Sequence, residues 1–211
     1  MLIFRIGPIL AVGLAGLAWV AFAAGAQAGE PYHVRGTLAA IDGKTLTVDT
    51  REGGTKTIVL NEGAGMFLVD GADIADIKAG QFVGITSVMK GEVRTAIEVH
   101  IFAPDLYGLA EGHYAWDLID EPNMMTNAAV GWIDDVDGGR KLRARYTNPD
   151  KSDGAQTITV SGDATIVTLD VTTAEAFVPG RGVWVLAIDN EDGSTGSPAV
   201  AIGTAAVDPP F

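Results

Sequence analysis

Three histidines, five methionines and no cysteine bound the metal and nucleophile chemistry open to this chain. Imidazole and thioether groups gather in one place only. His113, Met124 and Met125 fall within residues 103–127, with Trp116 between them. Thioether sulfur is soft and, with imidazole, selects Cu(I) or Ag(I) over hard cations. Trp116 could cap such a site by offering the cation its π face. Glu121-Pro122-Asn123 is a turn signal that could fold the Met pair back towards His113. The first expectation is therefore a soft-metal site of His113, Met124, Met125 and Trp116, with Cu(I) as its ion. The competing expectation is packing, since Met is the usual filler of irregular gaps. Adjacent methionines on an extended strand would point to opposite faces, so the metal site requires a loop at that point.

Other chemistry-bearing residues suggest less. The acidic runs Asp134-Asp135-Val136-Asp137-Gly138 and Asp189-Asn190-Glu191-Asp192-Gly193 fail the EF-hand order, because its first ligand position would fall on Ile133 and Ile188. Asp-Gly between strand patterns reads first as a hairpin turn. His100 alternates with Ile97, Val99 and Ile101, so Glu98 and His100 are expected as a solvated pair on the opposite face. His33 is expected exposed near the mature terminus. Trp132 and Trp184 fall on strand patterns; core packing is the default, and an exposed aromatic platform for sugar or peptide is the alternative. No nucleophile elbow, zinc-protease motif or phosphate-binding glycine loop is present. The chain is expected to be non-enzymatic.

The elements that must position these residues read as short strands. Thr45-Leu46-Thr47-Val48-Asp49 alternates with period two, the mark of a strand with one buried face. Asp42-Gly43 and Arg51-Glu52-Gly53-Gly54 are turns, Thr57 to Leu60 resumes the strand, and a Gly-rich connection follows. Asp73 to Ile77 is expected as a helical turn or two, then strands cover Gln81 to Val88 and Thr95 to Phe102. The same order returns about 95 to 100 residues later. Gly36 matches Gly131, Ile41-Asp42 matches Val136-Asp137, and Leu46 matches Leu142. Thr57 to Leu60 matches Thr157 to Val160, Ile77 to Gly80 matches Phe177 to Gly180, and Val83 to Ile85 matches Val183 to Val185. A run of matches in one order signals tandem duplication. The expected fold is all-β: two tandem small OB-like β-barrels, each of about five strands with a short helix between the third and fourth.

Val34-Arg35-Gly36-Thr37-Leu38, Ile41-Asp42-Gly43, Leu46-Thr47-Val48, Lys78 to Ile85 and Arg94 to Val99 carry a resemblance. Together they resemble the exported bacterial small β-barrel domains of the DUF5666 type. The likeness covers most of 34–102 and, more loosely, 129–203. Its motifs are turns, caps and core positions, and it implies a barrel fold with no catalytic residues. The second copy departs at its Pro-Gly-Arg-Gly turn, 179–182, and in a longer polar hairpin, Asn148 to Gln156. The middle segment is similar to the OB-barrel periplasmic copper and silver chaperones, which use one His, one Trp and two Met. Those proteins carry Met-x-Met, whereas Met124 and Met125 are adjacent.

An apolar run from Ile6 ends in Ala26-Gln27-Ala28, a small-x-small pattern that reads as signal-peptide cleavage. The expected organisation is a signal peptide over 1–28, a barrel over 29–102, a connecting segment over 103–127, a second barrel over 128–205 and a tail over 206–211. The expected address is periplasmic or secreted, with no membrane anchor after cleavage. The chain carries 27 acids against 14 bases, a formal charge of −13, and losing the leader removes Arg5 and no acid. Such a balance repels phosphate backbones, so nucleic acid is not an expected partner. The expected function is an exported binding protein, with Cu(I) as the first ligand. An envelope adaptor that makes contact through a strand edge or aromatic patch, with an envelope protein as partner, is the alternative.

Overall fold

Apolar–polar alternation places the strands, and in the computed structural model, which describes residues 29–211, it builds an all-β molecule. The expected signal peptide, 1–28, lies outside the described residues. The strands are β1 (Tyr32–Asp42), β2 (Thr45–Thr50), β3 (Thr55–Gly71), β4 (Phe82–Lys90), β5 (Val93–Phe102) and β6 (Gly112–Trp116). They continue with β7 (Asn123–Val136), β8 (Gly139–Thr147), β9 (Asp153–Val171), β10 (Gly182–Asp189) and β11 (Thr195–Gly203). The helical turns expected before β4 and β10 are single 3-10 turns, Ile74–Asp76 and Ala174–Ala176. Among the described residues, no helix is long and apolar enough to cross a membrane.

All eleven strands belong to one hydrogen-bonded sheet, which closes on itself twice. The first ring runs β1–β2–β3–β11–β10 and back to β1. The second runs β7–β8–β9–β5–β4 and back to β7. Each ring has one parallel contact, β3–β11 and β5–β9 respectively. Closure removes the free edges that a short sheet would expose. Leu38, Leu46, Ile58, Val185 and Ile202 are among the side chains filling the first ring, and Ile85, Val99, Leu142, Ile158 and Val160 among those filling the second.

This arrangement corrects the expected domain boundaries. Neither ring consists of consecutive strands. The first takes three strands from residues 32–71 and two from 182–203; the second takes two from 82–102 and three from 123–171. The reason lies in β3 and β9. The Gly-rich stretch after Leu60 is not a connection but a bulge inside a 17-residue strand, at Gly63 with φ +70°. There the β11 pairing jumps from Leu60 to Gly65. The strand runs on instead of folding back, so it delivers β4 and β5 to the other ring, and the 19-residue β9 does the same for β10 and β11. Where they cross, β3 and β9 pair antiparallel from Phe67 to Gly71. The central pair there is Val69 opposite Leu169.

The matching of the two halves also shifts in detail. A bulge falls between Leu38 and Ala40 in β1 and between Val130 and Trp132 in β7. Leu46 faces Ile41 and Leu142 faces Ile133. Ile41 therefore corresponds to Ile133, not to Val136, and Ala40 to Trp132. The β7–β8 hairpin simply extends further, to Val136 opposite Gly139.

A third cluster fills the seam between the rings: Phe82, Phe102, Met125, Leu169, Trp184 and Phe211 are buried in it. The expected tail, 206–211, thus ends in a ring packed into the seam.

Candidate functional site

The bridge between the halves is ordered by two devices. A 3-10 turn with proline at its start, Pro104–Leu106, breaks away from β5. Then β6 pairs antiparallel with the first half of β7, so Gly112 faces Asn127 and Trp116 faces Asn123. Asn123 secures the loop between them by donating from Nδ2 to the carbonyls of Ile119 (3.0 Å) and Glu121 (2.8 Å). The turn expected at Glu121-Pro122-Asn123 therefore closes a β-hairpin.

That hairpin divides the four expected ligands between the two faces of the sheet. Cross-strand partners share a face, and neighbours along a strand alternate. His113 lies opposite Thr126, and Met124 opposite Ala115, on the face that continues into the second ring. Met125 lies opposite Tyr114, and Trp116 opposite Asn123, on the seam face. The segment 123–125 is strand, not loop, so the two sulfurs diverge. His113 is occupied too: its Nδ1 shares a hydrogen bond of 2.8 Å with Thr126 Oγ1, and its ring stacks 5.9 Å from Tyr146. Burial, and then the Arg94 charge, hold its imidazole below the ordinary value. Met125 is 2% exposed within the seam. Among the described residues, no three of His, Cys, Asp and Glu form a metal-holding group.

Trp116 instead joins a cluster on the seam that the sequence does not announce. The His33 ring sits between two indoles, 4.3 Å from Trp116 and 5.3 Å from Trp184. Its Nδ1 is 2.7 Å from Asp117 Oδ1, the same oxygen that accepts a 2.7 Å hydrogen bond from Arg35 Nη2. Arg35 Nε also donates to the Phe211 carbonyl at 2.9 Å. His33 is thus half-buried and held, not exposed. Burial lowers its pKa and outweighs the opposing pull of Asp117. Burial alone would raise the Asp117 carboxyl; the hydrogen bonds from Arg35 and His33 prevail and hold it low.

The Glu98–His100 pair is likewise not solvated. Glu98 is 1% exposed and His100 4%. His100 Nδ1 lies 2.8 Å from Glu98 Oε1, and Thr86 Oγ1 donates to Glu98 Oε2 at 3.0 Å. The outer face of β5, which alternation assigns to solvent, is roofed by the seam, where Phe102 and Phe211 lie against His100.

The two strand tryptophans part company. Trp184 is buried in the seam, whereas Trp132 is 38% exposed on the outer face of the second ring. It lies opposite Arg143, with Arg145 two residues further along β8.

No family model, curated protein or solved structure matches this chain. The functional reading therefore rests on geometry.

Sequence reasoning missed the roles of His33, Arg35 and Asp117, which lie 82 or more positions apart in pairing. It also passed over Arg140-Lys141-Leu142-Arg143-Ala144-Arg145, an alternation of cations and apolar residues legible as a strand with a basic outer face.

Proposed function

We propose that this protein is an exported, non-enzymatic binding module of the cell envelope, and that its contact surface is an outer barrel face rather than the bridge. We read each ring as an OB-like five-stranded unit from a duplicated chain, the two copies having exchanged their last two strands. The observation that carries the reading is the opposite fate of two aromatic groups. Tyr114, Trp116 and Met125 of the bridge pack into the seam and the bridge's exposed Tyr107 lies against Phe82, while Trp132 stands 38% exposed on a closed, rigid scaffold. Sites placed on rigid elements are held more accurately than sites on loops. Soft-metal capture by His113, Met124, Met125 and Trp116 is the competing role. It would require the β6–β7 hairpin to open, because the sulfurs leave opposite faces.

The test compares the mature chain with Trp132→Ala and His113→Ala. Co-sedimentation with insoluble envelope material is measured, alongside Cu(I) titration followed by Trp fluorescence. The expected result is retention lost in Trp132→Ala and kept in His113→Ala, with no stoichiometric Cu(I) response. Retention unchanged by Trp132→Ala, or a one-to-one Cu(I) response abolished by His113→Ala, overturns the reading.

A further inference from the structure

The basic outer face of the second ring is out of keeping with the rest of the chain. Acids outnumber bases 27 to 14, yet four of the bases stand within residues 140–145. Arg140 is used structurally. It donates from Nη1 to the carbonyls of Ile74 (3.1 Å) and Ile77 (3.0 Å), and it pairs with Asp135 at 3.0 Å. Lys141, Arg143 and Arg145 alternate with buried Leu142, Ala144 and Tyr146 and so face outward. Among the described residues, none of the three has a carboxylate oxygen within 4.0 Å. Arg143 donates only to Thr157 Oγ1, at 3.1 Å. Arg145 lies over the bulge glycine of β7: a Cβ on Gly131 would meet its Nε at 3.1 Å. The missing side chain thus leaves room for the Arg145 side chain over Gly131, one residue before Trp132.

The first ring supplies an internal control. Register places Ala40 where the second ring has Trp132, Thr47 where it has Arg143, Thr45 where it has Lys141 and Asp49 where it has Arg145. The same scaffold closes without cations or an aromatic at these positions, so packing does not demand them.

Beside the two arginines lies a groove of about 570 Å³, whose lining includes Glu111, Tyr146, Thr147 and Asp153. Arg143 and Arg145 line this groove with the carboxylates, and Arg143 also lies opposite the exposed Trp132, so an aromatic plane adjoins it. We propose that this face binds an acidic polysaccharide, Arg143 and Arg145 taking sugar carboxylates, Trp132 stacking on a pyranose ring, and Glu111 and Asp153 accepting from hydroxyls. The proposal rests on the binding-module reading and names its ligand. Guanidinium matches carboxylate bidentately, and an indole offers a flat apolar plane. A phosphate polymer fits less well. It would meet Glu111 and Asp153 as like charges while offering them few hydroxyl donors along its backbone. An acidic sugar brings, beside its carboxylates, many ring hydroxyls that can donate to Glu111 and Asp153.

The test uses the mature chain and alginate, a polyuronate, by affinity electrophoresis and calorimetry. Neutral dextran, polyglutamate and single-stranded DNA are run in parallel. Expected are saturable binding to alginate that weakens between ~0.01 and ~0.1 M salt, and loss of about tenfold in affinity for each of Arg143→Gln, Arg145→Gln and Trp132→Ala. Lys44→Gln, on the first ring, should bind as wild type. Unchanged thermal unfolding in the arginine variants shows that the loss is not misfolding. No binding to alginate, equal binding to dextran, tighter binding to polyglutamate or DNA, or indifference to both arginine variants overturns the proposal. If alginate fails while envelope retention still needs Trp132, the ligand class falls and the binding-module reading stands.

Discussion

At the scale of single residues, the ionisable groups on the seam and the bridge hairpin act as structural fasteners with a shared pH signature. His33 and His113 both have pKa values below 6.5 in the folded protein, chiefly through burial. Their unfolded forms take up protons first. They therefore contribute stability above about pH 6.5 that is lost as pH falls below it. Asp117, whose pKa is also lowered, adds a loss below about pH 4. Thermal unfolding should shift to lower temperature between pH 7 and pH 5, and His33→Gln combined with His113→Gln should flatten that slope. A slope unchanged in the double variant would show that other groups set it. Tyr114 works at the opposite end. Burial pushes its pKa up to about 12, so stability should fall as pH rises from 10 towards 12. Tyr114→Phe should remove that alkaline loss. Glu98 accepts from both Thr86 and His100 in a dry site, so Glu98→Ala should cost about 3 kcal/mol in urea unfolding, and Glu98→Gln less.

At the scale of elements, strand alternation decides what the bridge can do. Pairing of β6 with β7 sends His113 and Met124 to one side and Met125 and Trp116 to the other. A site that uses all four of these groups and this hairpin exclude one another. Strands β4, β5 and β7 approach closely at Gly84. A Cβ at that position would lie 1.9 Å from His100 Nε2 and 2.6 Å from Asn127 Oδ1. Both neighbours are buried, so neither can swing away. Gly84→Ala should destabilise by about 2 kcal/mol through overpacking, measured by denaturant midpoint. The same change at Gly43, in an open turn with φ +57°, carries backbone strain but no clash.

At the scale of the whole molecule, exchange of strands makes the two rings one cooperative unit. Each ring borrows two strands from the far half of the chain, and β3 is hydrogen-bonded to β9 between them. Neither ring can melt while the other keeps all its partners. Calorimetry should show a single transition with equal van't Hoff and calorimetric enthalpies. Leu46→Ala, in the first core, and Leu142→Ala, in the second, should each lower that one transition by about 3 kcal/mol. Two separable transitions, each sensitive to one variant, would show that the rings are independent.

Local pattern sufficed for much of this. The two-residue period of Thr45 to Asp49, the Asp-Gly turns and the capped turn at Asp73 are short-range features, and each stands where the sequence places it. The matched run from Thr57 and Thr157 onward likewise falls on equivalent strands, Leu46 facing Ile58 as Leu142 faces Ile158. What alternation cannot state is which strand a given edge will meet. β1 pairs with β10 rather than β4, because β3 runs on through a bulge instead of turning back. That one choice buries a seam between the rings. It converts Glu98 and His100 from a solvated pair to a dry one and draws His33 between two tryptophans, while Trp132 stays outside, opposite Arg143. Strand faces follow from residues two apart, so they are written in the chain; what covers a face depends on residues a hundred or more positions away, and only the folded molecule decides it.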